Sequence, residues 1–182
     1  MLASKSPRRH HLLHALGIDF QVRTKEVEEI FPEDLLPEQI PVYLAELKAR
    51  SFLDELKDRD LLITADTIVF LENKVLGKPE KQKDAESLLQ MLSGKEHQVI
   101  TGVCLSSIHK QKSFYAITNV QFKKLSSEEI NFYIQSFQPF DKAGAYGIQE
   151  WIGYIGISHI EGSFYNVMGL PIQKLYEEII KF

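Results

Sequence analysis

Apolar and polar residues follow one another along this chain with two periods. In some stretches the apolar positions return every three or four residues, as on a helix with one buried face. In others they form alternating or unbroken runs, as in strands. Residues 1–4 read as a short strand. Pro7 suits the first turn of a helix whose apolar face is Leu12, Leu13 and Leu16, with Gly17 ending it. Phe20 and Val22 alternate as a second short strand, and the polar stretch 23–37, with Pro32 and Pro37, reads as a loop carrying Glu28 and Glu29. A long helix is predicted from about Glu38 to Leu56. At about 100° per residue, Leu44, Leu47, Ala49, Phe52 and Leu56 share one broad arc, and Lys48 falls near its middle. A lysine on an inward face needs an anionic partner or a route along its stem to solvent.

The run 61–71 predicts a central strand buried on both faces, interrupted by Asp66. Glu72, Asn73 and Lys74 read as a turn, and Gly77, Lys78 and Pro79 as a second punctuated loop. Ala85, Leu88, Leu89 and Leu92 mark an amphipathic helix over 84–92, closed by Gly94. Residues 97–108 and 113–124 predict an antiparallel hairpin joined at 109–112. Ser126 or Ser127 caps a helix over 128–136, with Glu129 completing a capping box to Ser126. Residues 140–149 form a loop rich in small residues, 152–160 return to a strand pattern, 166–171 turn, and a last amphipathic helix closes the chain. Alternating helices and strands early, then antiparallel strands, predict an α/β fold with a mixed sheet.

Composition narrows the class. The chain has 182 residues, 44% of them hydrophobic and 25% charged, enough for one sizeable core or one core with a small lobe. A net charge of −4 argues against binding to a nucleic-acid backbone. One cysteine, Cys104, excludes an internal disulfide framework and suits a reducing cytoplasm. No apolar run is long enough to span a bilayer, and residues of chemical interest starting at position 2 leave no room for a signal peptide. Symmetric pairs are the commonest oligomers, which leaves a homodimer open.

Against that acidic background, positive charge is local. Ser4, Ser6, Pro7, Arg8 and Arg9 stand where a strand gives way to a helix. Backbone N–H groups at a helix start, the helix dipole and two guanidiniums together suit phosphate; a solvated surface pair is the alternative. Lys48 either meets an anion or snorkels, Asp66 is either functional or a structural acceptor at a strand end, and Lys78 by itself marks only a turn. His10, His11 and His14 have helical spacing for a metal, yet fall among solvent-facing positions of the first helix. Tyr146 and Phe164 either stack on a base or belong to the core. Taken together, Arg8, Arg9, Lys48 and Lys78 set against Glu29 and Asp66 suit an oligophosphate with Mg²⁺ or Mn²⁺. The simplest such substrate is a nucleoside triphosphate, and the simplest reaction is hydrolysis of a phosphoanhydride.

These residues also carry a family resemblance. Leu2, Ala3, Ser4, Ser6, Pro7, Arg8, Arg9 and Leu12 resemble the signature of the Maf family of nucleoside triphosphate pyrophosphatases, also known as septum-formation inhibitor proteins. The likeness continues in order through Glu28 and Glu29, residues 44–49, 65–69, 77–79, 97–103, 141–149 and 166–171. It implies a single Maf-like domain over 1–182, with an elongated, twisted mixed sheet flanked by helices and two lobes with a cleft, similar to the inosine triphosphate pyrophosphatases. It also implies hydrolysis of a nucleoside triphosphate to the monophosphate and pyrophosphate, assisted by a divalent cation. Asp66 would be the proton acceptor or metal-bound carboxylate and Glu29 its acidic partner. Lys48 and Lys78 would be catalytic cations, and Ser4, Ser6, Arg8 and Arg9 would hold the triphosphate. Ala65, Asp66 and Thr67, with residues 143–149, resemble the branch acting on dTTP and UTP, which makes Arg8, Thr67 and Gln149 specificity positions. The alternatives within the resemblance are a 7-methyl-GTP pyrophosphatase and a nucleotide-binding regulator of cell division. Glu150 departs from the pattern, since the family often has glycine there.

Overall fold

The computed structural model describes residues 1–182. The protein is a mixed α/β fold built on one five-stranded sheet, in the order β2-β1-β3-β4-β5. The strands are β1 (Leu62–Leu71), β2 (Lys74–Leu76), β3 (Glu96–Ser106), β4 (Gln111–Phe122) and β5 (Ile157–Glu161). The helices are α1 (Pro7–His14), α2 (Gln39–Arg50), α3 (Gln82–Leu92), α4 (Ser127–Phe137), α5 (Trp151–Gly156), α6 (Phe164–Val167) and α7 (Ile172–Ile180). No helix is long and apolar enough to cross a membrane.

The sheet is antiparallel. Val69 pairs with Leu76 and Leu71 with Lys74 across β1 and β2, and Asn119 pairs with Glu161 across β4 and β5. The turn between β1 and β2 places Glu72 and Asn73 at positive φ, the conformation of a tight hairpin turn. Between β1 and β3, Thr67 meets Thr101 while Thr64 meets Cys104, a descending register that only antiparallel strands give. The parallel component is confined to Leu2, which bridges both Val22 and Ile63.

The chain divides into two compact units. One comprises residues 1–67, 100–116 and 169–182; the other comprises 68–99 and 117–168. In the first, Ala45 and Ala49 of α2, with Phe52 just beyond it, pack on Leu62 and Cys104. Two features fix its height and register. Gly102 on β3 has no side chain, and a Cβ there would lie 2.3 Å from the backbone of Pro41 and Val42, so the start of α2 rests directly on the strand. One turn on, Thr64 Oγ1 donates to the Ala45 carbonyl at 2.7 Å. In the second unit, Leu89 and Leu92 of α3 and Ile130 and Ile134 of α4 close on Val99, Val120 and Phe122. Ser126 caps α4 in a reciprocal box with Glu129, as its spacing predicts.

Several elements differ from the sequence reading. The expected strand over 152–160 is helix through Gly156 and strand only from Ile157. Its Ile and Tyr content favours strand, but the Glu150 carbonyl accepts N–H bonds from Gly153 and Tyr154, and Ile152 is fully buried. The strands expected at 1–4 and 20–22 shrink to single bridges. The long helix stops at Arg50 and continues only as a 3-10 turn at Leu53–Glu55. The hairpin between β3 and β4 turns at 107–110, closed by Ser107 N–H to the Lys110 carbonyl, two residues earlier than expected. Part of the expected 166–171 turn is the end of the short α6.

Candidate active site

β1 organises the first unit's polar centre because successive side chains leave a strand on opposite faces. Leu62, Thr64 and Asp66 point to the α2 side, and Ala65 and Thr67 belong to the other. On α2, Ala45, Lys48 and Ala49 share one face. Once Thr64 holds the Ala45 carbonyl, Lys48 one turn later is brought over Asp66 two residues later. The Lys48 ammonium bonds the Asp66 carboxylate, and Glu29 from the 23–37 loop approaches the same Nζ at 2.8 Å. Asp66 is buried, and Glu29 remains about half exposed. Two carboxylates are thus held beside one ammonium, with the Arg9 guanidinium also coupled to both.

Arg9 serves the opposite side of β1. Its Nε donates to the Gly169 carbonyl at 2.7 Å, Nη1 to the Ala65 carbonyl at 2.7 Å, and Nη2 to Thr67 Oγ1 at 2.9 Å. Three of its five N–H groups are thus spent fastening α1 and the start of the 169–182 segment to β1. Burial pushes its pKa below the usual arginine value. Asp66 opposes that shift, Arg8 adds to it and Glu29 opposes it. Those couplings place Arg8, Arg9, Asp66 and Glu29 within one electrostatic neighbourhood. Thr67 Oγ1 also meets Thr101 Oγ1 at 2.9 Å, so this hydroxyl is part of a closed network.

The 4–6 segment is folded back on itself. Ser6 N–H donates to Ser4 Oγ at 3.1 Å, Ser6 caps α1 by accepting from Arg9 N–H, and Pro7 occupies the first turn. His10 Nε2–H donates to the Ser4 carbonyl at 2.6 Å and steadies the same segment. No group of three His, Cys, Asp or Glu side chains is arranged to hold a metal ion, so His10, His11 and His14 do not form a ligand set. Asp66 and Glu29 supply two hard oxygen donors at one point. They fit Mg²⁺ or Mn²⁺ when phosphate oxygens complete the shell, since both ions prefer oxygen and bridge to phosphate.

The structure therefore gathers Ser4, Ser6, Arg8, Arg9, Glu29, Lys48, Asp66 and Thr67 within the first unit. Lys78 and Gln149 belong to the second. Lys78 is exposed just after β2, next to Gly77, whose carbonyl accepts the Gly144 N–H at 3.0 Å. Gln149 has its backbone carbonyl held by Tyr154 O–H at 2.8 Å, while its buried Oε1 has no hydrogen-bond partner. Tyr146 is core: its hydroxyl bonds His97 Nε2 at 2.7 Å and its ring stands edge-on to Phe122.

Sequence reasoning missed two things. The guanidinium of Arg9 reaches Gly169, a residue 160 positions away, for which the chain gives no local signal. Glu150, noted only as a departure, accepts bonds from Tyr133 and Lys142. A carboxylate flanked by Trp151 and Ile152 was the available clue to its burial.

A partly buried Lys–carboxylate cluster beside a capped, cation-bearing helix start, on an α/β fold, is an arrangement suited to handling an anion. The protein's family follows from comparison: the family profile described as Maf-like protein matches residues 1–182, and the chain belongs to the Maf family. Among its relatives, a dTTP/UTP pyrophosphatase of Bacteroides thetaiotaomicron is 56% identical over 182 residues, covering 100% of this chain and 94% of that protein. One from Phocaeicola vulgatus is 53% identical, with the same coverage. A third, from Flavobacterium psychrophilum, is 52% identical over 176 residues, covering 97% of this chain and 90% of the relative.

Proposed function

We propose that this protein is a nucleoside triphosphate pyrophosphatase that hydrolyses dTTP and UTP to the monophosphate and pyrophosphate, a house-cleaning activity on free nucleotides in the cytoplasm. The observation that carries the reading is Lys48 bridging Glu29 and Asp66 next to the folded-back 4–6 segment and Arg8. Relatives of about half identity bearing the name dTTP/UTP pyrophosphatase support the choice of base.

Mg²⁺ or Mn²⁺ held by Asp66 and Glu29 would neutralise phosphate charge and acidify a water. Asp66 takes the proton of the attacking water. That oxygen bonds to the α-phosphorus while the bond from the α-phosphorus to the bridging oxygen breaks, and pyrophosphate leaves with the electron pair. Lys48 and Lys78 offset negative charge growing on the leaving group. Ser4 and Ser6, with Arg8 and the remaining N–H groups of Arg9, hold the polyphosphate. Gln149 is the residue assigned to the base. Its unpartnered Oε1 is an acceptor suited to the N3–H of uracil or thymine, and its NH₂ to a ring carbonyl.

A panel of dTTP, UTP and 7-methyl-GTP with either cation, each product identified, tests the reading. Pyrophosphate release from dTTP and UTP is expected. Preference for 7-methyl-GTP would move the chain to the other branch of the family, and no release from any triphosphate would leave it a binder.

A further inference from the structure

In the second unit lies a closed network of titratable side chains that the reaction does not use. Lys142 is 7% exposed and Tyr133 is fully buried. Lys142 Nζ lies 2.6 Å from Asp141 Oδ1 and 3.1 Å from Glu150 Oε1. Tyr133 O–H donates to Glu150 and accepts the Gly147 N–H at 3.0 Å. Gly147 and Glu150 are thereby tied to α4, and Lys142 at the other end of the 142–150 segment is tied to Glu150. Between them the chain is strained: Gly144 and Ala145 both have positive φ, 67° and 59°. For alanine that conformation is costly, and it persists only where the surroundings over-determine it. The clamp supplies those surroundings, and a Cβ on Gly147 would lie 2.8 Å from the Glu150 carboxyl carbon. The same segment carries Gln149 and bonds the loop that carries Lys78, the two second-unit residues assigned to the substrate. Gly144 N–H holds the Gly77 carbonyl beside Lys78, and Gln149 directly precedes Glu150.

We propose that Glu150 is a positioning residue: through Tyr133 and Lys142 it holds the strained 142–149 segment so that the Gln149 amide is set for the pyrimidine base. This rests on the dTTP/UTP reading above. Glu150 touches no reacting atom. A partly buried carboxylate that accepts from a buried tyrosine and a buried ammonium costs free energy when either partner is lost, which favours one geometry of the segment.

The test uses Glu150→Gln and Tyr133→Phe in the full chain, with KM and kcat for UTP and dTTP and the inhibition constant of inorganic pyrophosphate, which carries no base. The expected result is a KM raised about tenfold, kcat within about twofold, and an unchanged pyrophosphate inhibition constant. An unchanged KM in either folded variant overturns the proposal. So does a pyrophosphate constant that rises together with KM, because that is general damage. Loss of folding in both variants also overturns it, making the network a stability element. Gln149→Ala in parallel isolates the parent reading: wild-type KM in that variant removes the base contact itself, whatever Glu150 does.

Discussion

Lys48 and Lys142 repeat one motif in two settings. Each is a mostly buried lysine lying between two carboxylates, Glu29 and Asp66 in one case, Asp141 and Glu150 in the other. Their surroundings separate them. Around Lys48 stand Arg8, Arg9 and the capped start of α1, all groups that attract an anion. Around Lys142 stand Tyr133 and the Gly147 N–H, which close the network on itself. A buried ion pair is thus no sign of chemistry by itself. What matters is whether its neighbours leave charge to offer to a ligand or consume it within the fold.

The largest separation between the two clusters is expected from Asp66→Asn. It should lower kcat by about a thousandfold, within the range for loss of a general base, with melting temperature and far-ultraviolet circular dichroism close to wild type. Lys48→Ala should follow at about a hundredfold in kcat, because it removes charge stabilisation and leaves Glu29 and Asp66 facing one another. An unchanged rate would place Lys48 with Lys142 as a structural cation. Equivalent changes at Lys142 should act on stability and KM.

The closed side of the comparison has its own pH signature. His97 is stacked on Phe122 and bonded to Tyr146, and burial pushes its pKa down to about 4 from 6.5. Between those values the unfolded chain binds a proton that the folded chain refuses. The stabilisation is therefore full above about pH 6.5 and is lost progressively as the pH falls to 4. The expected loss is about 3 kcal/mol, measured by urea unfolding at a series of pH values. His97→Phe should flatten that dependence, and a wild-type profile level from pH 7 to 4 would contradict it. The smallest effect is expected from Arg9→Lys. An ammonium cannot span Ala65, Thr67 and Gly169, so stability should fall by about 1–3 kcal/mol in the same denaturation experiment.

How far the sequence could be read depended on whether an answer was local. The α4 capping box, the β1–β2 turn and the apolar run of β1 are each written within a few residues, and each forms where expected. Lys48 on an inward arc implied an anionic partner, and Asp66 and Glu29 stood out as the carboxylates set against it, but that both meet Lys48 depends on α2 crossing the sheet at Gly102. The 152–160 region was misread because its strand-forming residues are overruled by the Glu150 carbonyl and the burial of Ile152. The Arg9 clamp to Gly169 and the Tyr133–Glu150 bond were beyond reach for the same reason. They join distant positions through side chains whose spacing carries no period.

The most direct test of the account is hydrolysis of UTP in ¹⁸O-labelled water, with the position of the label read by mass spectrometry. Attack at the α-phosphorus beside Asp66 predicts one labelled oxygen in UMP and none in the released pyrophosphate. Label in inorganic phosphate or pyrophosphate, or UDP as the product, would contradict it.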